Sequence, residues 1–278
     1  MKNRMPVVML GSGTPNAEPD RSGPAVAVIA GGRAHLVDCG PGVVRRAAAA
    51  SERGVQTLVP PQLTRVFITH LHSDHTAGLP DLILTPWVLG RHVPLEVFGP
   101  PGTKAMVEHL QEAYERDIQF RVHGLEEANR TGWQVVTKEV GPGIVERSHD
   151  LTIEAFAVEH GAWEAFGYRF RSPDRTVVIS GDTGPTDAVA EMAAGADLLI
   201  HEVYSHDAFS RQDPEWQRYH DHMHTSTCQV ADVAARARPK LLVLYHLLLW
   251  GVSADELVAE VRRGYDGEVV AGRDLEIY

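Results

Sequence analysis

Thr69-His70-Leu71-His72-Ser73-Asp74-His75-Thr76-Ala77-Gly78 is the stretch whose reading decides the fold. It crowds three histidines and a carboxylate into six positions, directly after the apolar run Val66-Phe67-Ile68. That run reads as a buried strand, and Gly78-Leu79-Pro80 as the start of a helix beyond it. Side chains alternate along a strand, so His70 and His72 point the same way from its end. Asp74 and His75 fall in the following turn, which can bend them back toward the same pocket. Imidazole nitrogens and a carboxylate converging on one point suit zinc or a similar divalent ion. A polar loop that is merely rich in histidine is the alternative, but it gives three crowded imidazoles no structural use.

The rest of the chain bounds what such a site can serve. At 278 residues and 44% hydrophobic content there is ample material for a core. The formal net charge of −11 argues against a broad nucleic-acid surface, although bound cations would offset some of that charge locally. Cys39 and Cys228 lack any close spacing and read as reduced thiols, with a single disulfide as the alternative. Val7 to Leu10 is too short for a signal segment, and no apolar run reaches membrane-spanning length. A soluble, cytoplasmic protein is expected.

In chain order, Val7 to Leu10, Ala25 to Ala30 and Ala34 to Val37 read as strands, the last two joined by a Gly31-Gly32 hairpin. Val43 to Arg53 reads as a helix, Leu79 to Leu89 as a helix limited by Pro86, and Leu95 to Phe98 as a strand. Thr103 to Arg116 reads as another helix, and Arg116 to Arg130 as a solvated face of mixed charge. From Trp133 to Ser180 the pieces are strand-like and separated by short turns. Strand and helix then alternate: helices at Asp187 to Ala194, Thr225 to Ala237 and Ser253 to Arg263, strands at Asp197 to His201 and Leu241 to His246. Glu268 to Ala271 and Leu275 to Ile277 finish the chain as short strands. Strand-rich and helix-rich segments thus occur twice with no linker between them. The expectation is one α/β (α+β) domain over 1–278, with two β-sheets packed face to face and helices outside both.

Later strands keep ending on metal-ligand residue types. Phe156 to Glu159 leads to His160, Val177 to Gly181 leads to Asp182, and Leu242 to Tyr245 leads to His246. Each alone reads as a structural histidine or a turn aspartate. In this order after the histidine cluster, they read as one site assembled from strand ends. The ordered set His70, His72, Asp74, His75, His160, Asp182 and His246 resembles the metallo-β-lactamase superfamily, over almost the whole chain. The resemblance implies a four-layer αββα sandwich of two mixed sheets with two divalent ions, Zn2+ first and Mn2+ or Fe as alternatives. It assigns His70, His72 and His160 to one ion and Asp74, His75 and His246 to the other, with Asp182 bridging both. Asp38 matches the superfamily's first motif, where it supports the metal loop without binding a metal; a plain strand-end turn is the alternative.

Two further motifs narrow the branch. Leu199-Ile200-His201-Glu202-Val203-Tyr204 and His222-Met223-His224-Thr225-Ser226-Thr227 resemble the His-Glu motif and histidine-led helix start shared by ribonuclease Z enzymes, alkaline arylsulfatases of this fold and related phosphodiesterases. In that branch the glutamate and the later histidine pair beside the metals, so Glu202 and His224 join Asp74 and Asp182 as catalytic candidates. His224 would donate a proton to the leaving oxygen. Helix capping is the alternative for His224, beside a solvated His220-Asp221-His222 run. For Glu202 the alternative is a supporting contact to a ligand histidine.

The expectation is a dinuclear hydrolase of phosphodiesters or aryl sulfates, acting through hydroxide shared between two ions on a small-molecule ester. Ribonuclease Z enzymes carry a long basic arm for transfer RNA, and no such insertion is visible between Val135 and Ser180. A tRNA 3′-end endonuclease is therefore the alternative, with nucleic acid possible as a partner but not favoured. A lactonase or β-lactamase-like hydrolase and a non-catalytic binding protein on the same fold are the remaining readings. The resemblance makes a homodimer plausible. Gly11 to Pro15 reads as a strand connector or an anion-binding turn, and Trp87, Trp163 and Trp250 as core residues or walls of an aryl pocket.

Overall fold

Runs of β-branched and small apolar residues closed by glycine or charged turns make the first strands. In the computed structural model, which describes residues 5–278, β1 is Val7–Gly11, β2 Ala25–Ala30 and β3 Arg33–Val37. Gly31 and Gly32 both have positive φ, the geometry a two-residue hairpin needs at its centre, and β2 and β3 pair antiparallel as expected. The chain continues through α1 (Val43–Glu52), β4 (Arg65–Phe67), α2 (Ser73–Thr76), α3 (Leu79–Val88) and β5 (Leu95–Gly99). After these come α4 (Thr103–Ala113), α5 (Glu115–His123) and β6 (Val135–Glu139). These strands form a six-stranded sheet in the order β1-β2-β3-β4-β5-β6, antiparallel at the β1–β3 end and parallel from β3 onward. With residues 274–278, they make one of two compact units of the chain, residues 6–11, 19–140 and 274–278.

Strand alternation explains how this sheet holds its helices. Val8, Leu10, Ala27, Leu36, Val66 and Val97 share a core with Val44, Ala47, Leu79, Leu82 and Val107 from α1, α3 and α4. Each large aliphatic side chain so buried contributes about 1.5–3 kcal/mol. The alternate positions, among them Met9, Val26, Val37, Phe67 and Phe98, are buried as well, so the strands read as continuous apolar runs. Arg91 is buried at the end of α3 with no carboxylate, donating instead to the carbonyls of Leu63, Leu82, Ile83 and Gly132 at 2.7–3.1 Å. Burial lowers its pKa to about 10.

The second unit, residues 5, 12–18 and 141–273, starts with the meander β7 (Gly143–Arg147), β8 (Thr152–His160), β9 (Trp163–Arg171) and β10 (Thr176–Ile179). Then follow α6 (Asp187–Met192), β11 (Leu198–Tyr204), α7 (His206–Phe209), α8 (Pro214–Met223), α9 (Thr227–Ala237), β12 (Leu242–Leu248), α10 (Ala254–Val261) and β13 (Val269–Ala271). The sheet order is β13-β12-β11-β10-β9-β8-β7. β10 to β13 are parallel, as strand–helix alternation requires, and β7 to β10 are antiparallel hairpins. Val178, Leu199, Val203, Leu242 and Leu244 share a core with Val189, Val230, Ala234, Leu257 and Val261 from α6, α9 and α10. Ser226 and Ser253 cap α9 and α10 with full capping boxes through Gln229 and Glu256.

Several local expectations change. The helix expected over Thr103 to Arg116 breaks at Tyr114, and α5 occupies the start of the mixed-charge stretch. Pro86 sits inside α3 without ending it. Leu275 to Ile277 is not a full strand: only Ile277 bridges to Val8, with backbone bonds from Val7 and Met9 to Tyr278 and Glu276. Gly11 belongs to β1, where a Cβ would come within 1.9 Å of the Gly23 carbonyl oxygen, so close backbone approach accounts for it without any ligand. Both cysteines are free thiols, Cys39 buried and Cys228 exposed. Among the described residues no helix is long and apolar enough to cross a membrane.

Candidate functional site

In the first unit the histidine loop leaves β4 and turns through α2, and its donors are aimed from behind. Asp38, at the end of β3, has φ +60 and is buried. Its carboxylate accepts from the Thr69 amide at 2.8 Å, from Thr69 Oγ1 at 2.9 Å and from His75 Nδ1 at 2.8 Å. Burial pushes the Asp38 carboxyl up, while His75 and Thr69 hold it down. With its Nδ1 proton committed, His75 keeps a lone pair on Nε2. Thr69 gives its only proton to Asp38, so it accepts from His70 Nδ1 at 3.0 Å, and His70 too keeps its Nε2 lone pair. That nitrogen lies 3.0 Å from His72 Nδ1, and His75 Nε2 lies 3.5 Å from Asp74 Oδ2. The structure thus brings His70, His72, Asp74 and His75 together within this unit, and gives Asp38 the supporting contact read from its position.

In the second unit the donors come from separate strand ends. His160 closes β8 and donates Nδ1 to the Met223 carbonyl at 2.8 Å, which again keeps the lone pair on Nε2. Asp182 follows β10, and its Oδ2 is 3.3 Å from His246 Nε2. His246 is the extra residue of a β-bulge: Glu202 pairs with Tyr245 and Val203 with Leu247, so His246 falls between them with φ +45. A non-glycine residue in that region is strained, and here the bulge re-aims the imidazole toward Asp182. Asp182, His224 and His246 each offer a ligand atom within 4.8 Å of the others.

Glu202, fully buried on β11, accepts from the amides of Thr183 at 3.2 Å and Thr225 at 2.9 Å. The same oxygen, Oε1, lies 3.4 Å from His224 Nδ1, while Oε2 has no hydrogen-bond partner among the described residues. Burial and the Asp182 carboxylate push the Glu202 carboxyl well up, and His246 with the two amides pulls it back. Neighbouring His201 is not part of the site: its Nδ1 donates to the Glu202 carbonyl at 2.7 Å, and burial lowers its pKa to about 4. Buried imidazoles with one nitrogen already tied, beside desolvated carboxylates, are the donors a divalent cation takes. The donor types present in both units fit such ions.

The tryptophans divide. Trp87 is core, 1% exposed, with Nε1 bonded to the Asn129 carbonyl. Trp163 is 44% exposed at the β8–β9 turn. Trp250 packs on the His220 ring at 4.7 Å between centroids. His220, read from sequence as solvated, is buried against Trp216, Tyr219, Trp250 and His224. The signal was present in part: Trp216 and His220 are i and i+4 on one face of α8, and His224 follows as its extended C-cap.

A Beta-lactamase superfamily domain model matches residues 33–247. The chain is 35% identical over 278 residues to a ribonuclease Z of Mycobacterium bovis (strain BCG / Pasteur 1173P2), covering 97% of this chain and 96% of that one. It is 34% identical to a ribonuclease Z of Mycolicibacterium gilvum (strain PYR-GCK), covering 97% and 94%. Among solved structures it resembles the metallo-beta-lactamase fold protein YhfI from Bacillus subtilis, with TM-score 0.77 and 21% identity over 99% of this chain and 100% of that one. Human tRNase Z, short form, gives TM-score 0.70 and 24% identity over 99% and 98%. These structural likenesses show the fold, the αββα class expected from the ligand order.

Proposed function

The chain belongs to the metallo-β-lactamase superfamily, in its ribonuclease Z-like branch, and on that premise we propose that this metal-dependent hydrolase cleaves RNA phosphodiesters at a 3′ end. The observation that carries the reading is the Glu202–His224 pair, 3.4 Å apart and beside Asp182 and His246. A plain β-lactamase-type ligand set has no use for it. The ribonuclease Z name shared by relatives aligned over nearly the full chain supports RNA over aryl sulfate as the substrate. With a net charge of −11, bound cations would supply much of the attraction for phosphate.

In this proposal, following the superfamily resemblance, His70, His72 and His160 would hold one divalent ion, Asp74, His75 and His246 would hold a second, and Asp182 would serve both, with zinc the expected metal. Bound ions supply a nucleophile from water at neutral pH and positive charge for the attacked phosphorus. The chain does the rest. Asp38 and Thr69 fix the tautomers of His75 and His70, and the Met223 carbonyl fixes that of His160. Glu202, anchored by two backbone amides, orients His224 through Nδ1. His224 passes a proton from Nε2 to the departing 3′ oxygen as the P–O3′ bond breaks, giving a 3′-hydroxyl and a 5′-phosphate. The whole of 1–278 acts as one hydrolase domain, and an RNA substrate carries a cytoplasmic location with it.

A second reading, a small aryl phosphodiester or aryl sulfate, is favoured by one observation. Connections 140–142, 148–151, 161–162 and 172–175 between β6 and β10 are short turns, leaving no arm there to grip transfer RNA. The two readings separate when zinc-loaded protein is offered a precursor tRNA with a 3′ trailer, bis(4-nitrophenyl) phosphate and 4-nitrophenyl sulfate in parallel. Trailer removal is the expected result. Turnover of the sulfate alone overturns the proposal.

A further inference from the structure

We propose that α8 carries a stacking platform, the exposed ring faces of Trp216 and Tyr219, for the base of the nucleotide whose 3′ oxygen leaves. This rests on the RNA reading above. Trp216 is 55% exposed and Tyr219 39%, so α8 presents two large rings to water. A single exposed ring is ordinary, but two adjoining exposed rings held in a fixed array make a contiguous apolar face of the kind ligands use. Neither is loosely placed. Trp216 stacks on the buried His220 ring at 5.6 Å and 26°, and meets Tyr219 edge-on at 5.6 Å and 85°. His220 in turn is wedged against Trp250 at 4.7 Å.

The array leads to the proton donor. His220 lies 5.3 Å from the His224 ring, and Tyr219 lies 6.2 Å from it. The occupant must therefore be planar and covalently close to the atom that His224 protonates. In an RNA phosphodiester that group is the nucleobase on the leaving side. Arg218 and His222 are exposed on the same helix, but so are Glu215 and Asp221, so ring stacking rather than net charge selects the ligand. Stacking tolerates any base, which suits an enzyme meeting varied 3′ ends.

The test uses the metal-loaded protein and a stem-loop RNA with a 3′ trailer. One form replaces the scissile 3′ oxygen with CH2, so that it binds without cleavage, and carries 2-aminopurine on the leaving side. Wild type should quench the 2-aminopurine on binding. Trp216→Ala should lose that quench and bind about tenfold or more weakly, while Trp216→Phe keeps most of both. On cleavable RNA, Trp216→Ala should raise KM with kcat held within about twofold, and an abasic leaving-side nucleotide should erase the difference between variants. Equal quenching and affinity in wild type and Trp216→Ala overturn the platform while normal trailer cleavage leaves the RNA reading standing. A wild type that neither binds nor cleaves the RNA overturns both. Circular dichroism and zinc content of Trp216→Ala should match wild type, since the ring is largely outside the core.

Discussion

The histidine loop of the first unit and the ligand set of the second unit solve the same problem differently. The loop takes His70, His72, Asp74 and His75 from one turn, and a single buried carboxylate, Asp38, steers His75 directly and His70 through Thr69. The other set takes His160, Asp182, Glu202, His224 and His246 from separate elements. It steers them with backbone: a carbonyl for His160, two amides for Glu202 and a bulge at positive φ for His246. Local ligands need one organiser. Dispersed ligands need the sheet itself to be irregular at chosen points, and that irregularity is held by the packing around it.

The contrast can be broken by substitution. Asp182→Ala should have the largest effect, a loss of activity beyond about 10³-fold with the fold kept, because the proposal makes it the ligand common to both ions. Retained turnover would take Asp182 out of that role. His224→Ala should cost about 10²- to 10⁴-fold on substrates with an alkoxide leaving group and much less on nitrophenyl esters. An equal loss on both would remove it as proton donor. Asp38→Asn should weaken metal retention by about 10- to 100-fold, read by competition with a zinc chelator. If Asp38→Asn proved as damaging as Asp182→Ala, the loop would depend on its organiser as heavily as on a ligand, and the contrast between the regions would fail.

Two smaller effects sharpen the second region. His201 is buried as a neutral ring with its pKa lowered to about 4. A base whose folded pKa is depressed gives stability that is present above its unfolded value of about 6.5 and lost as pH falls toward 4. That loss should amount to about 3 kcal/mol, followed by urea denaturation across this range, and His201→Gln should flatten it. Ser226→Ala, which removes the cap of α9 just behind His224, should cost about 1 kcal/mol, seen as a lower urea midpoint at unchanged slope.

Legibility followed sequence separation. Thr69 to Gly78 could be read directly because its spacing is its geometry. Asp182 and His246 could be placed only as strand ends, and the bulge that turns His246 left no mark in the sequence, since it arises from how β12 pairs with β11. The aromatic face of α8 was missed although the i, i+4 spacing of Trp216 and His220 was there, because a run rich in histidine and charge reads as solvated until its neighbours are known. The break at Tyr114 was missed for a similar reason: α4 and α5 are both good helix formers, and nothing local marks the join.

By itself the amino-acid sequence determined the superfamily, the strand–helix alternation of both sheets and the identity of the ligand-type residues, because each of these is carried by residue type at short spacing. The tertiary structure alone decided which ring nitrogen of each histidine remains a donor, that Glu202 sits against His224, and that Trp216 and Tyr219 stay at the surface beside it. Those outcomes depend on hydrogen bonds and ring packing between residues far apart in the chain, and such contacts exist only once the strands have paired.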